Sequence, residues 1–270
     1  MFQDLHHSIQ DILKLYMELI DEVQPGLLEG LYIYGSVAMG DYSLQLSDID
    51  FIAITRQRMG NEHILAVEEV HRKVRRAYKK PNLNGIYITW AELGKRAEEV
   101  EPFPYYCEER MHHAGYFEMN LVTWYGLKTH GITLIGPTTD ELPYEVSWQQ
   151  LIQDMQHNLQ TYWKSWIKRS RYVLKDRLGL YLFRSQVEWG VLGISRLYYT
   201  FKEQDITSKR LAGQYALRVV PEQWHPIIKD AIAYREGIRG SSYRSRAIRK
   251  ADALSYMEYI ISQCAKEESQ

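Results

Sequence analysis

The stretch at residues 31–54, LYIYGSVAMGDYSLQLSDIDFIAI, places two short apolar runs on either side of a polar segment. The runs at residues 31–34 and 49–55 are rich in β-branched and aromatic residues, which favours strands over helix. The polar segment leaves room for a turn, a short helix and a loop. Because residues two apart in a strand project from one face, Asp48 and Asp50 point the same way. An apolar strand that carries two carboxylates on one face is the feature that has to be explained.

A divalent cation would explain the pair, since two like charges held so close repel each other. Mg²⁺ prefers carboxylate oxygens and shares its remaining positions with water and phosphates. Gly35 and Ser36 follow the first run at a turn into a short helix, where backbone amides and a hydroxyl can donate to negative oxygens. An Asp-x-Asp alone more often caps a turn. With the Gly-Ser turn and strands on both sides, the pattern predicts a site for a metal-bound triphosphate.

Outward from this segment, the first half of the chain mixes helices with strands. Apolar residues at helical spacing predict helices at residues 5–23 and 62–78, and GIYITW at residues 85–90 predicts a third strand. From about residue 105 the pattern predicts helices again, with one at residues 118–130, before the short strand ITLIG. This order indicates an α/β (α+β) domain with a mixed sheet, which we assign to residues 1–140.

The second half of the chain contains only helical patterns. Helices are predicted at residues 148–170, 180–202, 208–219, 224–234 and 243–265. Their apolar stripes include bulky aromatic residues, which are expected to fill a core. The sequence therefore predicts an all-α helical bundle at residues 141–270.

The composition excludes several classes of protein. The chain has 33 Lys and Arg residues against 34 Asp and Glu residues, so no overall charge points to nucleic acid or to an anionic membrane. No stretch approaches the apolar length of a membrane span, and the first residues lack the pattern of a signal peptide. Two distant cysteines, Cys107 and Cys264, suggest reduced thiols. We therefore expect a soluble, cytoplasmic protein.

The segment also resembles a known superfamily, the nucleotidyltransferases with the DNA polymerase beta-like fold. Their signature is Gly-Ser, a spacer of about ten residues and Asp-x-Asp, and here eleven residues separate Gly35-Ser36 from Asp48-Ile49-Asp50. Within the superfamily, GSVAMGDYSLQLSDID is similar to the streptomycin and spectinomycin adenylyltransferases. The likeness continues through LKTHGITLIGP and, in the helical half, through VLGISRLYYTFKEQDITSKRLAGQYAL and PEQWHPIIKDAIAYR.

The resemblance implies transfer of AMP from ATP to a substrate hydroxyl with release of pyrophosphate, and it implies Mg²⁺ and ATP as cofactors. Asp48 and Asp50 would be catalytic metal ligands. Ser47 is equally well explained as a turn residue and as a nucleotide contact. The residues that the resemblance assigns to nucleotide binding are Gly35, Ser36, Ser47, Arg196, Lys209 and Tyr234. Lys209 would act as a point charge on a phosphate.

The third carboxylate of these enzymes is missing from the expected strand. PNLNGIYITW contains no acid, and Asn84 or Gly85 occupies the position where Glu or Asp is expected. An amide can offer a neutral oxygen to a metal, but it cannot accept a proton at neutral pH. The alternatives for a base are Glu92, Glu108, Glu109, His112 and His113. A further alternative is a relative that binds nucleotide and transfers it slowly or not at all.

The expected acceptor is a small, cationic, polyhydroxylated molecule. In EEVEPFPYYCEER, residues 98–110, acids that include Glu108 and Glu109 alternate with aromatic residues, which would suit an aminocyclitol. A solvated acidic loop explains the same stretch. Gln186 and Glu188 lie near the drug-binding part of the related enzymes, although Gln186 stands where an acid is expected. This leaves a different acceptor open.

Two basic runs, HRKVRRAYKK and RGSSYRSRAIRK, raise the alternative of an RNA acceptor. Binding to RNA through phosphate contacts would depend strongly on salt. The sequence pI of about 6.8 argues against a large phosphate-binding face. Solvated helix faces account for both runs, and nucleic acid is not expected as a partner. The oligomeric state stays open.

Overall fold

The computed structural model describes residues 2–43 and 46–267. The chain divides into two compact units, Met1–Ser147 and Trp148–Gln270. No helix among the described residues has the length and apolar character needed to cross a bilayer.

The first unit is built on a mixed six-stranded sheet, as predicted. Its spatial order is β5-β4-β3-β2-β1-β6, and the β2–β3 pair is parallel whereas the other pairs are antiparallel. The strands are β1 Leu28–Tyr34, β2 Ile49–Thr55, β3 Leu83–Thr89, β4 Phe103–Cys107, β5 Arg110–Gly115 and β6 Ile132–Ile135.

Among the described residues of this unit, the α-helices that accompany the sheet are α1 His7–Val23, α2 Gly35–Ala38, α3 Asn61–Ala77 and α4 Leu121–His130. Helices α1 and α3 bury their apolar stripes against one face of the central strands. Because side chains alternate along a strand, Phe51 and Ala53 of β2 join this core while Asp50 and Ile52 project from the opposite face. Helix α4 packs against β1 and α2. One face of β2 is therefore committed to the core, and the other carries the aspartates.

The sequence prediction was wrong between residues 103 and 120. Residues 103–115 form the hairpin β4–β5, not a loop followed by helix. Pro104 lies where the β4–β5 register shifts, and a proline within an apolar run weakens the strand signal. Strand β5 is an exposed edge strand without apolar alternation. Helix α4 begins at Leu121, so Glu118 lies in the turn before it, with a positive φ of 54°.

A buried polar cluster joins α1, α3 and β3 beneath the sheet. The hydroxyl of Tyr87 lies 2.7 Å from the hydroxyl of Tyr16 and 2.6 Å from Nε2 of His71. All three side chains are buried, and burial lowers the pKa of His71 to about 3. His71 is therefore neutral, and Tyr87 links two polar groups that could find no water at this depth.

The second unit is all helical, as predicted, with some boundaries shifted. Its helices are α5 Trp148–Asn158, α6 Lys164–Tyr172, α7 Leu174–Leu182, α8 Arg184–Glu203, α9 Lys209–Val219, α10 His225–Arg235 and α11 Arg246–Glu267. A π-helical turn, Leu159–Trp163, joins α5 to α6 without a break. The helix predicted at residues 180–202 is interrupted at Phe183, whose backbone is extended. Trp163 and Trp166 lie in the core of this unit.

We expect Tyr87→Phe to destabilise the first unit more than Tyr16→Phe does. The first change leaves both the Tyr16 hydroxyl and His71 Nε2 without their partner, whereas the second leaves the Tyr87 hydroxyl its contact with His71. Each buried polar group left unpaired costs about 1–3 kcal/mol. Hydrogen exchange of the β2 and β3 amides measures the free energy of opening of this unit. Equal losses in the two variants would contradict a shared cluster centred on Tyr87.

Candidate active site

Four side chains form a row across the sheet of the first unit, at one end of the strands β1, β2, β3 and β4. Strand register pairs Tyr34 with Asp50 and Asp50 with Asn84. Gly85 pairs with Tyr106, so the next pair toward this end is Asn84 and Cys107. Paired residues on neighbouring strands share a face of the sheet. We call these residues, Tyr34, Asp50, Asn84 and Cys107, the edge row.

Gly35 is required at the start of α2 for two reasons. Its φ is +69°, a conformation that costs an L residue roughly 1–2 kcal/mol. A Cβ added to Gly35 would also lie 2.5 Å from Oδ2 of Asp50. The absence of a side chain thus lets the Asp50 carboxylate lie directly against the backbone of the Gly-Ser turn.

Asp48 lies beside the edge row and is held there by Asn84. The Asn84 Nδ2 group donates a hydrogen bond of 3.0 Å to Oδ2 of Asp48. Asn84 is only 9% exposed, and its Oδ1 has no hydrogen-bond partner within residues 2–43 and 46–267. A buried carbonyl oxygen without a partner is costly, so its presence beside two carboxylates points to a bound cation or water.

The two serines differ in their surroundings. Ser36 is half-buried in α2, and its carbonyl accepts a hydrogen bond of 2.9 Å from the amide of Asp41. Ser47 is buried, and its Oγ accepts from the amide of Ser43 at 2.9 Å while its own amide donates to the Ser43 carbonyl at 2.8 Å. These contacts tie Ser47 to Ser43, and a role for Ser47 in nucleotide binding stays a prediction.

The chemistry of this donor set fits one hard divalent cation. No group of three or more His, Cys, Asp and Glu residues suited to a metal occurs in the described part of the chain. Mg²⁺ is commonly held by one or two carboxylates, and water and substrate phosphates complete its octahedron. Asp48 and Asp50, with the amide oxygen of Asn84, supply that kind of site.

Several negative charges act on Tyr34 and Cys107, the two ends of the edge row. Burial raises the pKa of Tyr34 well above its usual range, and the charges of Glu118 and Asp50 raise it further. Burial likewise raises the pKa of Cys107 to about 11, with contributions from the charges of Glu108, Asp48 and Glu118. Tyr34 and Cys107 are thus neutral at pH 7. The effect of Glu118 on both ends places a further carboxylate near the row.

Sequence reasoning missed Glu118 because the spacing assigned it to a helix. Its Oε2 accepts a hydrogen bond of 3.1 Å from the hydroxyl of Thr123 in α4. Asn120 caps α4 by accepting from the Thr123 amide. The cap residue Asn120 was the available signal, since it predicts a helix that starts after Glu118.

The alternative bases weighed from sequence are mostly engaged elsewhere. Glu92 follows the far end of β3, where it accepts hydrogen bonds from Arg58 and from the amide and hydroxyl of Thr89. At about 3.3 Å per residue this end lies roughly 15 Å or more from Asn84. Glu109 forms an ion pair with Arg75 of α3. The sequence hypothesis that Glu92 serves as the base is therefore wrong.

The remaining candidates lie on the β4–β5 hairpin. Glu108 occupies its turn with a φ of 49°. His112 stacks on Tyr105 with ring centroids 4.4 Å apart, and His113 is exposed. The acidic stretch at residues 98–110 is no continuous acidic surface, since Arg96 forms ion pairs with Glu98 and Glu99. The loop expected here is partly a strand, β4, in which Phe103 and Tyr106 are buried, and the role of this stretch in binding an acceptor stays a prediction.

In the helical unit, Glu188 and Lys209 come together with a residue that was not predicted, Arg235. Oε1 of Glu188 lies 3.7 Å from Nζ of Lys209 and 3.5 Å from Nη1 of Arg235. The three side chains are 7%, 18% and 11% exposed, respectively. Burial lowers the pKa of Lys209 to about 8, Glu188 opposes this shift, and the charges of Arg196 and Arg235 add to it.

The other predicted residues of the helical unit, Arg196, Tyr234 and Gln186, differ in exposure and in the groups near them. Arg196 is exposed and adds positive charge to the surroundings of Lys209. Tyr234 is half-buried, and the guanidinium of Arg184 lies 5.2 Å from its ring centroid. Gln186 is exposed whereas Glu188 is buried, and their role in binding an acceptor stays a prediction.

Comparison with known proteins is consistent with this geometry. Residues 144–263 match the family model of the aminoglycoside adenylyltransferase C-terminal domain. The chain is similar to a spectinomycin 9-adenylyltransferase from Campylobacter jejuni, with 20% identity and 92% of both chains covered. It also shares the fold of a spectinomycin adenyltransferase from Enterococcus faecialis, solved with ATP and spectinomycin, with a TM-score of 0.66 and 13% identity over 94% of this chain and 98% of that one.

The helical match falls on the part of the chain that contains the Glu188 and Lys209 cluster, and the fold match spans both units. The resemblance expected from the Gly-Ser turn and the Asp48 and Asp50 pair is thereby confirmed: residues 144–263 match a domain of the aminoglycoside adenylyltransferases, and the whole chain is similar to two spectinomycin adenylyltransferases.

Proposed function

We propose that this protein transfers AMP from ATP to a hydroxyl group of a small aminocyclitol or aminoglycoside antibiotic, in a Mg²⁺-dependent reaction that inactivates the drug. One observation carries the proposal: the backbone of the Gly35 turn lies directly against the Asp50 carboxylate, while the Asn84 side chain donates a hydrogen bond to Asp48. The similarity to spectinomycin adenylyltransferases supports the choice of acceptor.

Each residue of the site has a part in this reaction. Asp48 and Asp50 would hold Mg²⁺ with the Oδ1 of Asn84, and the ion would neutralise phosphate charge when bound. The amides of the Gly35 and Ser36 turn, together with the Ser36 hydroxyl, donate to phosphate oxygens at the start of α2. The reaction joins the acceptor oxygen to the α-phosphorus and releases pyrophosphate.

A second candidate function is nucleotide binding without efficient transfer. It is favoured by Asn84, which pairs with Asp50 in the register and donates to Asp48 where related enzymes are expected to carry an acid. An amide cannot take the proton of an acceptor hydroxyl. ATP binding without transfer to any acceptor, together with activity of Asn84→Glu, would favour this candidate over the enzyme.

We expect purified wild-type protein to release pyrophosphate from MgATP when spectinomycin or streptomycin is present, and Asp50→Asn to lose most of this activity. Removal of one metal-binding charge forfeits several kcal/mol of transition-state stabilisation, which corresponds to a loss of more than about a hundredfold in kcat. The measurement is acceptor-dependent pyrophosphate release, with wild type lacking acceptor as the background. Unchanged turnover by Asp50→Asn would contradict the assigned metal site.

We expect Gly35→Ala to abolish MgATP binding, whereas Gly40→Ala retains it. Both glycines have a positive φ, of +69° and +68°, so the two substitutions impose similar backbone strain. Only at Gly35 would the new methyl group displace the Asp50 carboxylate, because no atom lies within 4 Å of a Cβ at Gly40 among the described residues. Titration with a fluorescent ATP analogue compares the two. Equal loss of binding would show that strain alone matters.

Lys209 is proposed to contact a phosphate of the nucleotide, because it is a largely buried cation close to two further positive charges, those of Arg196 and Arg235. With a pKa of about 8, Lys209 is charged at pH 7 and loses its charge as the pH rises through 8. ATP affinity should therefore fall roughly tenfold between pH 7 and 9. Lys209→Arg keeps its charge over this range and should show a flat profile in equilibrium dialysis. Parallel profiles for the two proteins would exclude Lys209 as the titrating group.

A further inference from the structure

The segment between β5 and α4 crosses the face of the sheet that carries the edge row. The ring of Phe117 stacks on Tyr105 of β4, with centroids 5.3 Å apart and planes within 13°. Tyr105 and Cys107 are two residues apart in β4, so they project from the same face. Helix α4, which follows the segment, packs against β1 and α2. The segment is thus anchored over β4 at one end and continues into a helix on β1 at the other.

Glu118 is held within this segment in a strained conformation. Its φ of 54° is one that residues other than glycine adopt rarely and at a cost, and such residues cluster at functional sites. The Thr123 hydroxyl fixes one carboxylate oxygen, Oε2, and so orients the side chain. Glu118 is half-buried, which leaves it accessible to a small molecule.

The charge of Glu118 reaches both ends of the edge row. It raises the pKa of Tyr34 in β1 and that of Cys107 in β4, and these residues flank Asp50 and Asn84 in the sheet. Asp50 also acts on Tyr34, and Asp48 also acts on Cys107. The charge of Glu118 therefore acts on the same side chains as the charges of the two aspartates.

We propose that Glu118 is the general base for the acceptor hydroxyl and takes the place of the carboxylate missing at Asn84. This inference rests on the proposed transfer reaction. The acceptor O–H proton passes to Glu118, the acceptor oxygen forms a bond to the α-phosphorus of ATP, and the bond from that phosphorus to the bridging oxygen breaks as pyrophosphate leaves. The proton on Glu118 is then released to water.

The test compares Glu118→Gln with wild type in acceptor-dependent pyrophosphate release. Glutamine keeps the size of the side chain and an acceptor for the Thr123 hydroxyl, but it cannot take a proton. We expect kcat to fall about 10²- to 10⁴-fold while the affinity for MgATP is unchanged. Glu118→Asn tolerates the left-handed backbone and should be equally inactive without loss of thermal stability.

The matched control is Glu141→Gln. Glu141 is also an acid of the first unit held by a threonine, since its Oε2 accepts hydrogen bonds of 2.8 Å from the amide and hydroxyl of Thr138. This variant should turn over like wild type. Activity of Glu118→Gln close to wild type, or a loss in Glu108→Gln in its place, would overturn the role of Glu118 while leaving the transfer reaction intact. No turnover by wild type with any acceptor would overturn both proposals.

Discussion

The close approach of the Asp50 carboxylate to the backbone of Gly35 is the contact on which the rest of the site depends. It exists because β1 and β2 pair in a register that sets Tyr34 opposite Asp50. A slip of one residue would move every side chain of β2 to the other face and bring Asp50 into the core under α1 and α3. Burial of an uncompensated carboxylate there would cost several kcal/mol. The apolar residues of β2 therefore fix the position of Asp50 as firmly as they fix the sheet.

Part of the site could be predicted from sequence because it depends on local patterns. Alternation along β2 is a local property, so residues 48–55 alone predict that Asp48 and Asp50 share a face. The Gly-Ser turn is equally local, because a glycine after a strand signals a close approach of the backbone. The mixed sheet and the helical second half also followed from local periodicity. The hairpin β4–β5 did not, because Pro104 and an edge strand without alternation remove the local signal.

Contacts between distant segments are what sequence spacing could not supply. One such contact is the hydrogen bond from Asn84 to Asp48. The sequence shows only that an expected acid is absent at residue 84, whereas the structure shows that the amide there orients Asp48. Arg235 was missed for a similar reason, since it meets Glu188 of α8 only when α10 packs beside that helix. The chain offers no local pattern that distinguishes Arg235 from the many exposed arginines.

Each unit contains a group of side chains in which one sign of charge predominates, negative in the first unit and positive in the helical unit. In the first unit, Asp48, Asp50 and Glu118 concentrate negative charge around the neutral side chains of Tyr34 and Cys107. A bound cation would reduce the mutual repulsion of these three carboxylates. In the helical unit, Lys209 keeps a lowered pKa although Glu188 partly compensates it, because burial and two arginines outweigh that one carboxylate. An anion such as phosphate would restore the balance there, as Mg²⁺ would at the edge row. The two proposed ligands, a metal cation in the first unit and a phosphate in the helical unit, thus have the charges that these two groups of side chains would attract.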